Sequence, residues 1–283
     1  MTLLSPYDGR QGQWYRGNLH AHTTGSDGQL APADLAQLYV DAGRDFLAIT
    51  DHDVLTLVEH PKLVLLPGVE VSADGPHLLA VGRPRTYDPH RPRPAIVAEI
   101  VADGALCILN HPNWGESFEH WRQDELEACA AAHGIEVYNT IIEPLQGSPL
   151  ATDRWDRLWS AGQRLWGYAN DDWHDPRVAP RATNIVLAAE PTPAAILEAL
   201  KAGACYASTG VVIDRLEIDD ASIFVAAAGA DHIRFLARHG TVQHYVDGPE
   251  ALYRPNGHEG YVRVECWGPG HRFAFTQPIE VQP

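Results

Sequence analysis

One recurring pattern limits what this chain can fold into: a short apolar segment that runs straight into histidine or carboxylate. Trp14 to Leu19 leads into His20-Ala21-His22 and a polar turn ending in Ser26-Asp27-Gly28. Phe46-Leu47-Ala48-Ile49 leads into Thr50-Asp51-His52-Asp53, and Leu63 to Leu66 leads through Pro67-Gly68-Val69 to Glu70. His77 stands at the edge of Leu78-Leu79-Ala80-Val81, and Ala105 to Leu109 delivers Asn110-His111-Pro112. Ile135-Glu136-Val137-Tyr138-Asn139 follows, and Leu165 to Ala169 delivers Asn170-Asp171-Asp172-Trp173-His174. Helical periodicity lies between these segments, over about residues 32–43, 94–103, 123–133, 152–162 and 193–201. Pro32 and Pro193 suit first helical turns, and Gly43 and Gly203 suit the ends.

Continuous apolar strands alternating with amphipathic helices predict an α/β fold with a parallel sheet covered by helices. An open doubly wound sheet gathers its site at one or two switch points, whereas a barrel builds it from the carboxyl ends of many strands. Here at least five strand ends carry ligand-type residues, so a barrel over residues 1–207 is expected. After about residue 207 the helical signal stops. Residues 211–218, 222–226, 232–237, 261–267 and 273–275 read as short strands separated by glycine-containing turns. Residues 208–283 are therefore expected to form a small antiparallel β module packed on the barrel, covering an edge or joining two copies into a homo-oligomer.

A chain of 283 residues allows one large domain with an appendage. The formal charge of −16 excludes a generally basic face for duplex nucleic acid. Bound divalent cations would reverse the sign locally, so a small anionic substrate is still admitted. The start of the chain shows no signal-peptide pattern and no apolar run is long enough to cross a bilayer, so no membrane association is expected. Cys107, Cys129, Cys205 and Cys266 are scattered and form no C-x-x-C pair. They suit reduced core residues and a cytoplasmic location.

On a strand, residues i and i+2 share a face, so His20 and His22 can aim at one spot. Collected with the other strand ends they form a set of six histidines and three carboxylates: His20, His22, Asp27, His52, Glu70, His77, His111, Asp172 and His174. Imidazole and carboxylate donors suit zinc, manganese or iron, and the absence of thiolates argues against a structural zinc cage. Nine donors exceed what one ion can use, so two or three divalent ions are expected, with Glu70 bridging. Such ions generate hydroxide from bound water at neutral pH and clamp the oxygens of a phosphoryl group.

These motifs resemble the PHP (polymerase and histidinol phosphatase) family: His20-x-His22 with Ser26-Asp27-Gly28, Thr50-Asp51-His52, Gly68-Val69-Glu70, Asn110-His111-Pro112 and Asp172-x-His174. The resemblance covers roughly residues 14–207, with the motifs in the family's order. It implies a distorted (β/α)7 barrel, a trinuclear metal centre and phosphoester hydrolysis. It further implies that His20, His22, Glu70 and Asp172 hold one ion, that Glu70, His77 and His111 hold a second, and that Asp27, His52 and His174 hold a third. The segment from Ala199 to Gly210, followed by a β-rich tail, resembles the CehA/McbA-type metallohydrolases, a branch that includes carbamate-cleaving enzymes. No long helical insertion follows Val81, unlike the nucleotide-cleaving branch.

Other residues carry expectations of their own. Asp51 and Asp53 are expected to orient histidines. Glu136 could be a ligand, an outer support, an acid catalyst or the partner of an arginine. Arg181 and Arg177 follow the last motif, and a guanidinium suits oxyanion binding as well as a surface ion pair. Ser208 and Thr209 offer hydroxyls at the barrel mouth or close an ordinary turn. His232, His239, His244 and His258 are expected on the surface of the tail. The expected activity is hydrolysis of a small phosphomonoester or phosphodiester by a metal-bridging hydroxide, with Asp27, His52, Glu70 and Arg181 in the catalytic machinery. The rivals are a hydrolase of a carbon ester or carbamate, favoured by a pocket without arginine and lined by Trp114, Trp121 and Trp173, and a barrel kept only for binding.

Overall fold

The computed structural model describes residues 1–282. Its elements run, in order, β1 (Thr2–Leu4), β2 (Gln13–Asn18), α1 (Pro32–Asp41), β3 (Phe46–Ile49), β4 (Val64–Val71), β5 (Leu78–Val81), α2 (Arg93–Ala102), β6 (Leu106–Leu109), α3 (Gln123–Ala128), β7 (Gly134–Asn139), α4 (Thr152–Ser160), β8 (Trp166–Asn170), β9 (Thr183–Ala188), α5 (Pro193–Lys201) and β10 (Cys205–Ser208). The tail adds β11 (Arg215–Ile218), β12 (Ile223–Ala226), β13 (His232–Ala237), β14 (Thr241–Asp247), β15 (Glu250–Tyr253), β16 (Tyr261–Gly268), β17 (Arg272–Thr276) and β18 (Ile279–Gln282).

Strands β2 to β8 lie side by side in chain order. The β2/β3, β3/β4, β6/β7 and β7/β8 pairs are parallel. Strand β5 is antiparallel to both neighbours, which departs from a regular (β/α)7 array. The cause is the short 72–77 connection, since a parallel crossover needs about a dozen residues or more. Among the described residues the β3–β4 and β4–β5 connections carry no α-helix. The reversal matters for the site. His77 precedes β5, and because β5 runs backwards its amino end lies at the rim where its neighbours have their carboxyl ends.

The chain segments just beyond β2 and β8 meet at that same rim. Ala21 and Trp173 form a parallel bridge, with His22 N donating to Trp173 O at 2.8 Å and Asp172 N to His20 O at 2.9 Å. Lower down, Asn184 on β9 exchanges bonds with the backbone of Ala169. Strands β9 and β10 continue the sheet outward from β2 in antiparallel fashion.

The tail is hydrogen-bonded to this sheet rather than merely resting on it. Strand β17 pairs with β10 and β16 pairs with β17, while β11, β12 and β15 make a separate three-stranded sheet. Ser208 and Thr209 serve this junction: Ser208 Oγ donates to Val211 O, and Thr209 Oγ1 accepts from Phe273 N. They close a turn and do not reach the rim. No helix among the described residues is long and apolar enough to cross a membrane.

Candidate metal centre and active site

The buried tetrads Phe46–Ile49 and Leu106–Leu109 fix the sheet and deliver His52 and His111 just beyond it, while Glu70 lies near the end of β4, His77 just before Leu78–Val81, and Asp27 in the loop after β2. The innermost group is His20, His22, Glu70 and Asp172, all buried. His20 Nε2 lies 3.2 Å from Glu70 Oε2 and 3.1 Å from Asp172 Oδ1. His22 Nε2 lies 3.2 Å and 3.0 Å from the same two oxygens. All four atoms are buried without a hydrogen-bond partner. Donor atoms about 2.0–2.2 Å from a shared ion stand roughly 3.0–3.5 Å apart, so these spacings and orphaned atoms fit a cation at their centre.

The tautomers are set for this purpose. A carboxylate only accepts, so Glu136 Oε1, 2.8 Å from His20 Nδ1, places the proton there and leaves Nε2 free. Glu136 is itself buried and held by His111 N, Asn139 Nδ2 and Asn170 Nδ2. It supports His20 from behind, which resolves the alternatives left open for it by the sequence. The Glu136→Gln variant is therefore expected to lose about 10–100-fold in metal affinity, read by chelator competition, with its melting profile retained.

Glu70 reaches a second group through its other oxygen. Oε1 lies 3.2 Å from His77 Nδ1 and 3.3 Å from His111 Nε2, and Asn110 Nδ2 donates to it at 2.7 Å. His52 faces both ways: Nδ1 is 3.0 Å from Glu70 Oε2 and Nε2 is 3.5 Å from Asp27 Oδ2. The outermost group joins Asp27, His52 and His174, with His22 beside them. His174 Nδ1 donates to Asp172 O at 2.7 Å, leaving Nε2 at 3.2 Å from Asp27 Oδ1. Asp27 is the most exposed donor, its side chain 56% accessible. All nine residues singled out in the sequence thus converge on one rim.

Charge in this cluster favours added positive charge. Burial alone would lower the His22 ring, yet the Asp172 and Glu70 carboxylates push it up to about 9. His20 is raised against burial by Asp172, Glu70 and Glu136, and burial opposes the lowering of Glu70 that His20, His111 and His22 produce. The carboxylates hold protons on these rings when no cation is there, and metal binding would displace them. The backbone is also strained at two donors, with φ of 28° at His111 and 53° at Asp172. Such left-handed conformations cost on the order of 1–3 kcal/mol each and cluster at functional positions.

Several neighbours were not evident from the sequence. His120 Nε2 accepts from His77 N at 2.9 Å, so that nitrogen positions the His77 segment. Burial and the nearby histidines hold the His120 ring down at about 2. Trp121 Nε1 donates to His77 O. Asn110, Asn139 and Asn170 carry the carboxylates of Glu70, Asp172 and Glu136.

Other expectations are corrected. Asp51 does not touch a histidine; it accepts from Thr23, Ser26 and Thr56 and pins the 23–26 turn. Asp53 likewise binds Ser72 and Ala73. Arg181, expected in the catalytic machinery, is placed beside the donors' rim and outside the cavity lining. Its guanidinium pairs with Glu143 and Tyr138 and does not line the cavity. Arg177 pairs with Asp175 on the surface. Trp121 and Trp173 are buried and line no part of the cavity.

The cavity above the donors has a volume of 290 Å³ and is completed by Trp114, Ile141, Ile142 and Leu145. Two loops form this apolar wall and are zipped together: Trp114 bridges Gly147, Gly115 N donates to Gln146 O and Ser148 N to Asn113 O. Gly147 adopts φ 111°, and a Cβ there would come within 2.3 Å of Asn113 O. Gly147→Ala is expected to cost more than about 1 kcal/mol, seen as a lower Tm, and to loosen the wall.

No protein-family model matches the chain. It is 41% identical over 64 residues to the 5'-3' exoribonuclease Rnm of Salmonella typhimurium, covering 19% of this chain and 22% of that protein. It is 30% identical over 81 residues to a 5'-3' exoribonuclease of Haemophilus influenzae, covering 25% and 30% respectively. The matches thus span less than a third of either relative. A crystal structure from Bacteroides vulgatus, described as a two-domain protein containing a predicted PHP-like metal-dependent phosphoesterase, superposes with a TM-score of 0.54 at 17% identity. It covers all of this chain and 90% of that one. That likeness establishes a shared α/β fold with a β-rich part.

Proposed function

We propose that the protein is a PHP-type metal-dependent hydrolase whose principal reaction is phosphoester cleavage. The observation that carries this reading is the closed square of orphaned buried atoms, His20 Nε2, His22 Nε2, Glu70 Oε2 and Asp172 Oδ1. The donor set fits zinc, manganese or iron. One ion would be held by His20, His22, Glu70 and Asp172, a second by Glu70, His77 and His111, and a third by Asp27, His52 and His174. Bound there, the ions would activate water at neutral pH and neutralise the oxygens of the reacting group. The chain's own groups fix the donors: Glu136 orients His20, the Asp172 carbonyl orients His174, and Asn110 steadies Glu70. The PHP-like fold of the Bacteroides structure and the short exoribonuclease matches support phosphorus chemistry. The CehA/McbA-like layout remains part of the proposal.

A second reading has a specific observation behind it. The cavity lining contains no arginine or lysine and four apolar side chains, which suits attack on the carbon of an ester or carbamate. A panel on manganese- and zinc-loaded protein separates the two: 4-nitrophenyl phosphate, bis(4-nitrophenyl) phosphate and 4-nitrophenyl acetate. Turnover of either phosphate, abolished in His20→Ala, supports the phosphoesterase. Turnover of the acetate alone, equally abolished, overturns it for the carbon-ester reading.

A further inference from the structure

The cavity wall beyond the donors is hydrocarbon. Trp114 stands edge-on to the His111 ring, with centroids 5.3 Å apart and planes at 86°, and Ile141, Ile142 and Leu145 extend the surface. Leu145 is 50% exposed at the cavity mouth and continues the apolar surface outward. The shelf is not a floppy loop. The bridge at Gly147 joins its two halves, and Arg154 props the Trp114 side by donating to Asn113 Oδ1 and Phe118 O.

Charge narrows the choice of occupant. The only charged groups in the lining are the donors themselves, including the carboxylates of Asp27, Glu70 and Asp172. Arg181 is committed to Glu143 and Tyr138, and Arg177 to Asp175. An anionic group away from the ions would face carboxylates and hydrocarbon, with no cation to pair it. A buried unpaired charge of that kind is strongly disfavoured. At 290 Å³ the cavity is also at the small end of ligand pockets, which run roughly 300–1,000 Å³.

We propose that the Trp114–Leu145 shelf is the subsite for the non-reacting part of the substrate. It selects a compact apolar or aromatic body carrying a single scissile anionic group, in preference to a sugar phosphate, a nucleoside polyphosphate or an RNA chain. The proposal rests on the phosphoesterase reading and is tested separately from it by binding. Phenylphosphonate and methylphosphonate, which resist hydrolysis, are titrated calorimetrically into manganese-loaded protein. Phenylphosphonate is expected to bind at least about 10-fold more tightly, since its ring removes apolar surface from water on the shelf. Leu145→Ser is expected to reduce that preference at least about threefold. Trp114→Phe, which keeps an aromatic ring against His111, reads the same ratio in a second variant. A preference near one, a preference unmoved in both variants, or tighter binding of adenosine diphosphate or a short oligoribonucleotide would overturn the inference. If 4-nitrophenyl phosphate is turned over while the phenyl preference is absent, the subsite alone fails. If neither phosphonate binds and no phosphate is turned over, the phosphoesterase reading fails and this inference falls with it.

Discussion

Glu70→Gln is expected to lower kcat for the active phosphoester by on the order of 10³-fold or more, with the fold intact. Glu70 is the one side chain that both inner groups share. Its Oε2 faces His20, His22 and His52, and its Oε1 faces His77 and His111. Gln keeps the shape but removes the negative charge, and an amide offers one acceptor where the carboxylate offers two. Two ion positions are weakened together, and preorganised electrostatic stabilisation by cations is the largest contribution such a site can make. Asn110 still donates to the amide oxygen, so the strand end keeps its place. The measurement is kcat at saturating manganese alongside far-UV circular dichroism. Asp27→Asn is the useful contrast, because Asp27 belongs only to the outermost, most exposed group and its loss removes one donor from one position.

The largest effect on stability is expected at Arg263, far from the metal donors. Arg263 is buried on β16, with its guanidinium bidentate on Asp156 of α4 at 2.8 and 2.7 Å and a third bond to Glu265. Arg234 and Trp267 complete Glu265, Tyr261 donates to Asp156, and Arg263 lies over the Trp155 ring. This network fastens the tail to α4. Arg263→Leu leaves two buried carboxylates without their main partner, and breaking a buried pair from one side costs about 3–5 kcal/mol. At about 2–4 °C per kcal/mol for a chain of this size, Tm falls on the order of 10 °C. The pH dependence has a definite sign. Burial alone would raise the Glu265 carboxyl, but Arg263 and Arg234 hold it below its ordinary value. Its contribution is thus present above the unfolded carboxylate range near about 4.3 and is lost as pH falls through the folded value. Acid therefore erodes this network in the natural protein.

The donors were legible in the sequence because apolar tetrads and ligand-type residues are both short-range signals. Phe46–Ile49 before His52 and Leu106–Leu109 before His111 show it plainly. His77 was legible as a donor from its place at the edge of the apolar run Leu78–Val81, but its delivery by a reversed strand was not, since pairing direction is set by the 72–77 connection and not by composition. Strand β9, Thr183–Ala188, was not among the expected strands even though Ile185-Val186-Leu187 carries a strand signal. Asn110, Asn139 and Asn170 gave no warning, since asparagine at a strand end reads as a turn residue. Arg181 misled for the opposite reason: its place after the last motif suggested an anion, and only the tertiary pairing with Glu143 removes it. Arg263 alternates with Val262 and Val264, a pattern that reads as a solvated face. Nothing local reveals that α4 covers that face and brings Asp156 with it.

The most direct test of the central claim is anomalous diffraction from crystals of the protein soaked with manganese or zinc. A peak is expected about 2.0–2.2 Å from His20 Nε2, His22 Nε2, Glu70 Oε2 and Asp172 Oδ1, with at least one further peak bounded by Glu70, His77 and His111 or by Asp27, His52 and His174. A map with no anomalous density inside the His20–His22–Glu70–Asp172 square, in crystals that diffract well enough to show those side chains, would contradict it.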